Sequence, residues 1–397
     1  MRSEPAPQPS RSDRQGLPDE LRAIALLGIV VVNAPFIAVG LDGFTDQNLG
    51  GPIDRLTTFL TTALAEGKFY LLFSFLFGYS ATFIVRPGAG ERSGRKRWRR
   101  RMFGLALIGL AHAVFFFVGD ILLAYALLGM GLLPLFRRTD RTVLVTGAIV
   151  AGLGLFWLGL IVLAAFSDPG ITAQGGGPVE TYDQAMATAS FLGAAEARLE
   201  VLPAILIALG SVQWPLAFGA FCLGLVAGRH RFLADPAGRA PLFRKMALIG
   251  LGVGLPIQVA AAALQFGSDG PNGSAASFAG LALVVVTAPI LSAGYLGALA
   301  LASSRGVRVL AWLRPAGRAS LSIYIGESVV LATIFCGWGL GLFGEVNAFA
   351  VGVIAFGTWA GLVFLLTIWL RHFRQGPLEA VMTRWTGRPG TGDAHRA

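Results

Sequence analysis

The chain has 397 residues, of which 54% are hydrophobic and only 14% charged, and it carries a formal net charge of +10. A soluble domain has about a quarter of its residues charged, so this composition excludes an ordinary water-soluble globule and points to a bilayer as the main solvent. The excess of Lys and Arg suits either nucleic acid or a membrane surface, and its placement along the chain decides between them.

A helix crossing about 30 Å of hydrocarbon needs roughly 20 mostly apolar residues. The opening stretch MRSEPAPQPSRSDRQGLPDE has no apolar core. Residues 1–18 are therefore expected to be a disordered cytoplasmic tail, not a cleavable signal. Ten spans are expected after it, over Arg22 to Gly40, Gly67 to Val85, Met102 to Val118, Ile121 to Phe136, Val143 to Ala165, Val201 to Gly228, Leu242 to Phe266, Ser277 to Ala302, Ala319 to Trp338 and Phe349 to Leu370. Gly119 and Asp120 divide one apolar stretch at a length that fits a helical hairpin with a very tight turn. The long loop Phe166 to Glu200 contains VETYDQAMATASFLGAAEARLE, which reads as an amphipathic helix over the outer surface, a lid or packing element. The expected organisation is one multi-span all-α domain over residues 19–387, with a second tail at 388–397.

Loops kept in the cytoplasm carry an excess of Lys and Arg. Of the 32 basic residues, 29 fall before the first span, in alternate loops, or after the last. The opposite side keeps Arg55, Arg198 and Lys68 and collects acids such as Asp42, Asp168, Glu180, Glu200, Asp269 and Glu345. Both termini are thus expected in the cytoplasm, with the chain in the inner membrane. The run ERSGRKRWRRR (Glu91 to Arg101) sits directly before a span, so it reads as a topology anchor against anionic headgroups and not as a nucleic-acid motif. The expected partners are the lipid bilayer and a small-molecule or envelope substrate, with no nucleic acid. The sequence does not set the oligomeric state.

Two cysteines, Cys222 and Cys336, lie in or beside spans without a CxxC partner, which suggests neither a disulfide frame nor a zinc site. Four histidines without HExxH, and the lack of a GxSxG elbow or a Walker loop, argue against a metalloprotease, a common serine hydrolase and an ATP-driven pump. Function must then rest on polar groups inside the spans, because ionisable residues in hydrocarbon are costly. Counting from the basic edges places Asn33, His112 and Glu327 at a depth of about 13 to 17 Å, with Gln213 near the same level. Glu66, Lys68 and Asp120 gather instead at the outer helix ends, which implies a buried polar chamber beneath an outer acidic vestibule.

Four stretches carry a resemblance. LPDELRAIALLGIVVVN (Leu17 to Asn33), EGKFYLLFSFLFGYS (Glu66 to Ser80), RRRMFGLALIGLAHAVFFFVGDILLAYALLG (Arg99 to Gly129) and the C-terminal LRPAGRASLSIYIGES with RHFRQGPLEAVMTRWT resemble, in order and over Leu17 to Gly387, the YeiB-like family, domain of unknown function 418. That family is distantly similar to membrane acyltransferases of the acyltransferase-3 and heparan glucosaminide N-acetyltransferase types. The likeness implies an acyltransferase-like helical bundle. Asp19, Arg22 and Asn33 occupy the opening acyltransferase-like pattern. The acyltransferase-3 type has a catalytic His where this chain has Asn33, and the heparan type takes its essential His from a segment that here, between Asn33 and Gly67, contains none.

His112 is the one histidine inside a span, so it is the candidate base for acyl transfer, with Glu327 to orient it. Asn33 and Gln213 are candidate oxyanion donors. Arg22, Arg99 to Arg101 and Arg318 would hold the phosphates of a cytoplasmic acyl-CoA, a co-substrate and not a resident cofactor. The acceptor, an envelope or small-molecule hydroxyl or amine, would enter past Glu66, Lys68 and Asp120. Tyr125, Ser320 and Tyr324 complete the candidate polar lining. The alternative is a proton-coupled transporter or flippase using the same buried charges. A non-catalytic scaffold is a third possibility.

Overall fold

The computed structural model describes residues 16–44, 50–86, 88, 91–167, 178–266 and 275–387. The expected tails at 1–18 and 388–397 lie outside these residues, except that 16–18 already belong to the first helix and Leu17 is buried. Every regular element among the described residues is helical. In order they are α1 (Gly16–Ala38), α2 (Pro52–Leu64), α3 (Lys68–Ile84), α4 (Glu91–Phe115), α5 (Leu122–Gly131), α6 (Asp140–Ser167), α7 (Pro178–Thr188), α8 (Phe191–Arg229), α9 (Ala240–Ile249), α10 (Leu255–Phe266), α11 (Ala275–Ser304), α12 (Arg308–Arg318), α13 (Ser320–Phe335), α14 (Ala348–His372) and α15 (Pro377–Thr386). A tight 3-10 turn over Leu133–Arg137 follows α5, and a π-turn over Gly250–Gly254 joins α9 to α10.

Seven helical stretches among the described residues are long and apolar enough to cross a membrane, or eight when the pair α12 and α13, bent by 84°, counts as one. The chain is a multi-pass membrane protein. All ten expected apolar segments form helix, but three of them are not full-length apolar spans. The α4 helix begins at Glu91 and carries the whole basic run, α5 has only 10 residues, and α13 has 16. The stretch expected as a surface helix also divides. Ser190 caps a new helix by accepting from the Gly193 amide, so residues from Phe191 onward belong to the 39-residue α8, and only α7 remains separate.

Close helix crossings hold the bundle together. In α3, Gly78 lies so near α8 that a Cβ there would stand 2.1 Å from the Phe221 carbonyl oxygen. Reciprocally, a Cβ on Gly224 of α8 would stand 2.0 Å from the Phe75 carbonyl oxygen. Small residues let backbones meet where hydrocarbon supplies no driving force between helices, so these glycines set the α3–α8 contact. The first helix packs among the last: Gly317 of α12 fits against the Asp19 backbone, and the Trp359 indole of α14 donates to the Ala23 carbonyl at 3.0 Å.

Candidate functional site

Near the end of α4, His112 stands three residues before Phe115, and the chain then turns back through residues 116–121 into α5. Asp120 organises that turn with both oxygens. Its Oδ1 accepts from the Leu123 amide at 2.7 Å, holding the first turn of α5, while Oδ2 meets His112 Nδ1 at 2.7 Å. Gly109 makes the approach possible, since a Cβ there would lie 2.5 Å from Leu123 N and 2.6 Å from Asp120 Oδ1. Both side chains of the pair are 1% exposed. A carboxylate can only accept, so His112 donates from Nδ1, and in the neutral ring that tautomer puts the lone pair on Nε2. That Nε2 is buried and has no hydrogen-bond partner. The Tyr324 ring packs 5.2 Å from the imidazole, and its hydroxyl accepts from the Ile121 amide at 3.2 Å.

Two expectations are corrected by this arrangement. Asp120, not Glu327, orients His112, and Asp120 belongs to the buried site and not to an outer vestibule. The reason is the depth of the turn: from Arg101 to Phe115 α4 rises about 21 Å, short of the about 30 Å of hydrocarbon. The turn therefore lies inside the protein, beneath the start of α8, where Phe191 stacks on Phe115 with centroids 5.8 Å apart. Glu327 lies on α13 one turn from Tyr324, 2% exposed, with Oε1 unpartnered.

The other expected residues are spread through the bundle. At the basic end, Arg22 pairs with Asp19 at 2.5 Å and donates to Ser80 at 2.5 Å, while Arg314 pairs with Glu20 at 2.6 Å. Glu379 of α15 accepts from the amides of Leu321 and Ser322 and from the Ser322 hydroxyl, capping the start of α13 beside half-buried Ser320. Asn33 and Gln213 are half-buried, and no hydrogen bond ties them to His112 among the described residues. Lys68 was expected at a solvent-facing mouth, yet it is fully buried. It sits in the break between α2 and α3, where Gly67 takes φ +81°, and its Nζ donates to the Thr62 carbonyl at 2.7 Å with Glu66 as its neighbouring charge. The Tyr125 hydroxyl bonds Ser74 at 2.6 Å and the Tyr70 carbonyl at 3.1 Å, a packing contact between α5 and α3.

Sequence reasoning missed Arg198. It was counted only for topology, yet it is among the largest fully buried side chains of the molecule. Its guanidinium donates to the Phe115 carbonyl and to Cys336 Sγ, both at 3.2 Å, and faces the Tyr182 hydroxyl of α7. The only sequence signal was a lone Arg in an otherwise acidic stretch.

A family model described as "Protein of unknown function (DUF418)" matches residues 227–389. The chain is 27% identical to the uncharacterized protein YxaH of Bacillus subtilis over 96% of its own length and 94% of that protein. It is also 27% identical to the uncharacterized protein YeiB of Escherichia coli, over 93% of this chain and 95% of the relative. No solved structure matches. The chain is thus similar over nearly its whole length to YxaH and YeiB, and its C-terminal part matches the DUF418 family model.

Proposed function

We propose that the protein is a membrane-embedded acyltransferase that moves an acyl group from a cytoplasmic acyl-CoA to an envelope or small-molecule hydroxyl or amine, with His112 as general base. The observation that carries this reading is the buried Asp120–His112 pair with an unpartnered Nε2. A carboxylate on Nδ1 fixes the tautomer and stabilises the imidazolium formed when Nε2 takes a proton. In the reaction, the acceptor oxygen or nitrogen bonds to the thioester carbonyl carbon as its proton passes to Nε2. The C–S bond then breaks, and the proton returns from Nε2 to the departing thiolate. Asn33 and Gln213 remain candidate donors to the oxyanion.

The acyl-CoA phosphates would bind at the basic end, which in this reading is cytoplasmic in the inner membrane. Arg99 to Arg101 and Arg318 are the candidate cations there, while Arg22 is engaged with Asp19. His112 lies 11 residues along α4 from Arg101, about 17 Å, a distance suited to a long, flexible pantetheine arm.

The test is transfer of label from radiolabelled acetyl-CoA to a crude envelope extract by purified protein in nanodiscs. Transfer by the parent and none by a folded His112→Ala supports the reading, and transfer undiminished in His112→Ala refutes the role of that residue. Proton-coupled transport is the second reading. It is favoured by the broken pair α12–α13 together with the unpartnered Glu327, since discontinuous helices often frame transport sites. Absence of any transfer, with proton-dependent uptake into proteoliposomes, would establish it.

A further inference from the structure

Arg198 is a charged side chain buried among helices, and among the described residues no acid pairs with it. Its neighbours on α8, Glu196 and Glu200, are exposed and sit two residues away, on the other side of the helix. Its partners are neutral: a carbonyl, a thiol and a phenol. The Nε–H is buried and unbonded. Removing a cation from water without a counter-charge is expensive, and the partial negative charge at the end of α4, felt through the Phe115 carbonyl, offsets only part of it. Such a group is retained where an anion completes it.

The position is also informative. Phe115 follows His112 by three residues, so the guanidinium stands about one turn of α4, roughly 5 Å, outward from the candidate base. Over it lies α7, which contributes Tyr182 and is held to the loop after α13 by the bond from the Gly337 amide to the Met186 carbonyl at 2.8 Å. A guanidinium with spare in-plane donors matches the two oxygens of a carboxylate or a phosphate.

We propose that Arg198, covered by α7, anchors a carboxylate or phosphate group of a molecule that reaches the protein from the end opposite the basic loops, one helical turn from His112. The anion site stands on its own geometry. That its ligand is the acyl acceptor rests on the acyl-transfer reading.

The test is binding and not turnover, so it fails separately from that reading. Full-length protein in phosphatidylcholine nanodiscs is titrated with inorganic phosphate, and separately with succinate, at constant ionic strength against chloride. We expect saturable thermal stabilisation of a few degrees by at least one of the two anions. In Arg198→Lys, which keeps the charge and one donor to Phe115 but not the fork, the midpoint should rise at least about tenfold. No stabilisation beyond chloride, or equal stabilisation of parent and variant, overturns the proposal. A local readout covers the case in which the variant does not fold. In Cys222→Ala the remaining cysteine is Cys336, beside the guanidinium, and a stabilising anion should slow its alkylation by maleimide at least about threefold. An unchanged rate overturns the site. Nanodiscs containing phosphatidic acid and no added anion separate the sources: the same protection there identifies a lipid headgroup, and protection only with added anion identifies a soluble ligand.

Discussion

Replacing Asp120 tests the candidate site at its centre, because its two oxygens do separable work. Asp120→Ala removes the acceptor for the Leu123 amide, a loss of about 1 kcal/mol at a helix start, and leaves the buried His112 N–H unpaired, about 1–3 kcal/mol more. The expected destabilisation is about 2–4 kcal/mol. Asp120→Asn should cost much less, since its carbonyl oxygen still accepts from Leu123 and its NH2 group still faces His112. That NH2 group donates, however, so His112 must accept on Nδ1 and carry its proton on Nε2, where it can no longer act as a base. Thermal unfolding in detergent should therefore rank parent above Asn and Asn above Ala, while label transfer should fall by about 10²–10⁴ in both variants. Full transfer by Asp120→Asn, or an Asn variant as unstable as Ala, would refute the tautomer argument.

Three further outcomes are expected. Gly224→Leu should unfold or part the α3–α8 crossing, whose backbones leave no room for a side chain, and size-exclusion and thermal-shift profiles should show it; Gly352→Ala, whose Cβ position meets only the Thr57 methyl at 3.5 Å, should be neutral. Glu379→Ala should cost about 1–2 kcal/mol by uncapping α13, read as a lower unfolding temperature, with Glu379→Gln recovering part of it. Burial, reinforced by nearby Asp42, raises the Asp183 carboxyl on α7 from 3.8 to about 6 against a bond from the Leu41 backbone. A raised folded value means that α7 packs best below about pH 4 and loses this contribution as pH rises through about 6. Amide exchange of α7, corrected for its intrinsic pH dependence, should show faster opening at pH 7 than at pH 5, and Asp183→Asn should flatten the difference.

Apolar length and the placement of Lys and Arg made the helical membrane class readable, because both effects act on segments and need no knowledge of which helices meet. Counting depth along a helix failed for Asp120 because it assumes that every turn reaches a surface. The hairpin of α4 and α5 ends inside the protein, a fact created by α8 covering it. Glu327 illustrates a second limit. Equal depth suggested a partner for His112, yet the partner came from eight residues away in sequence, across a turn whose geometry depends on Gly109. Arg198 was hidden for the opposite reason. It resembled a loop charge until a 39-residue helix carried it beneath α7.

The contact between α1 and α12 to α14 has a consequence for biosynthesis. The first helix emerges from the ribosome about 300 residues before α14, and at about 5–20 residues per second it waits roughly 15 to 60 seconds for the surface that Trp359 completes. During that interval Glu20, whose partner Arg314 has not yet been made, must be accommodated elsewhere, in lipid headgroups or by the insertion machinery. A chain stopped before residue 314 would keep that carboxylate unmatched.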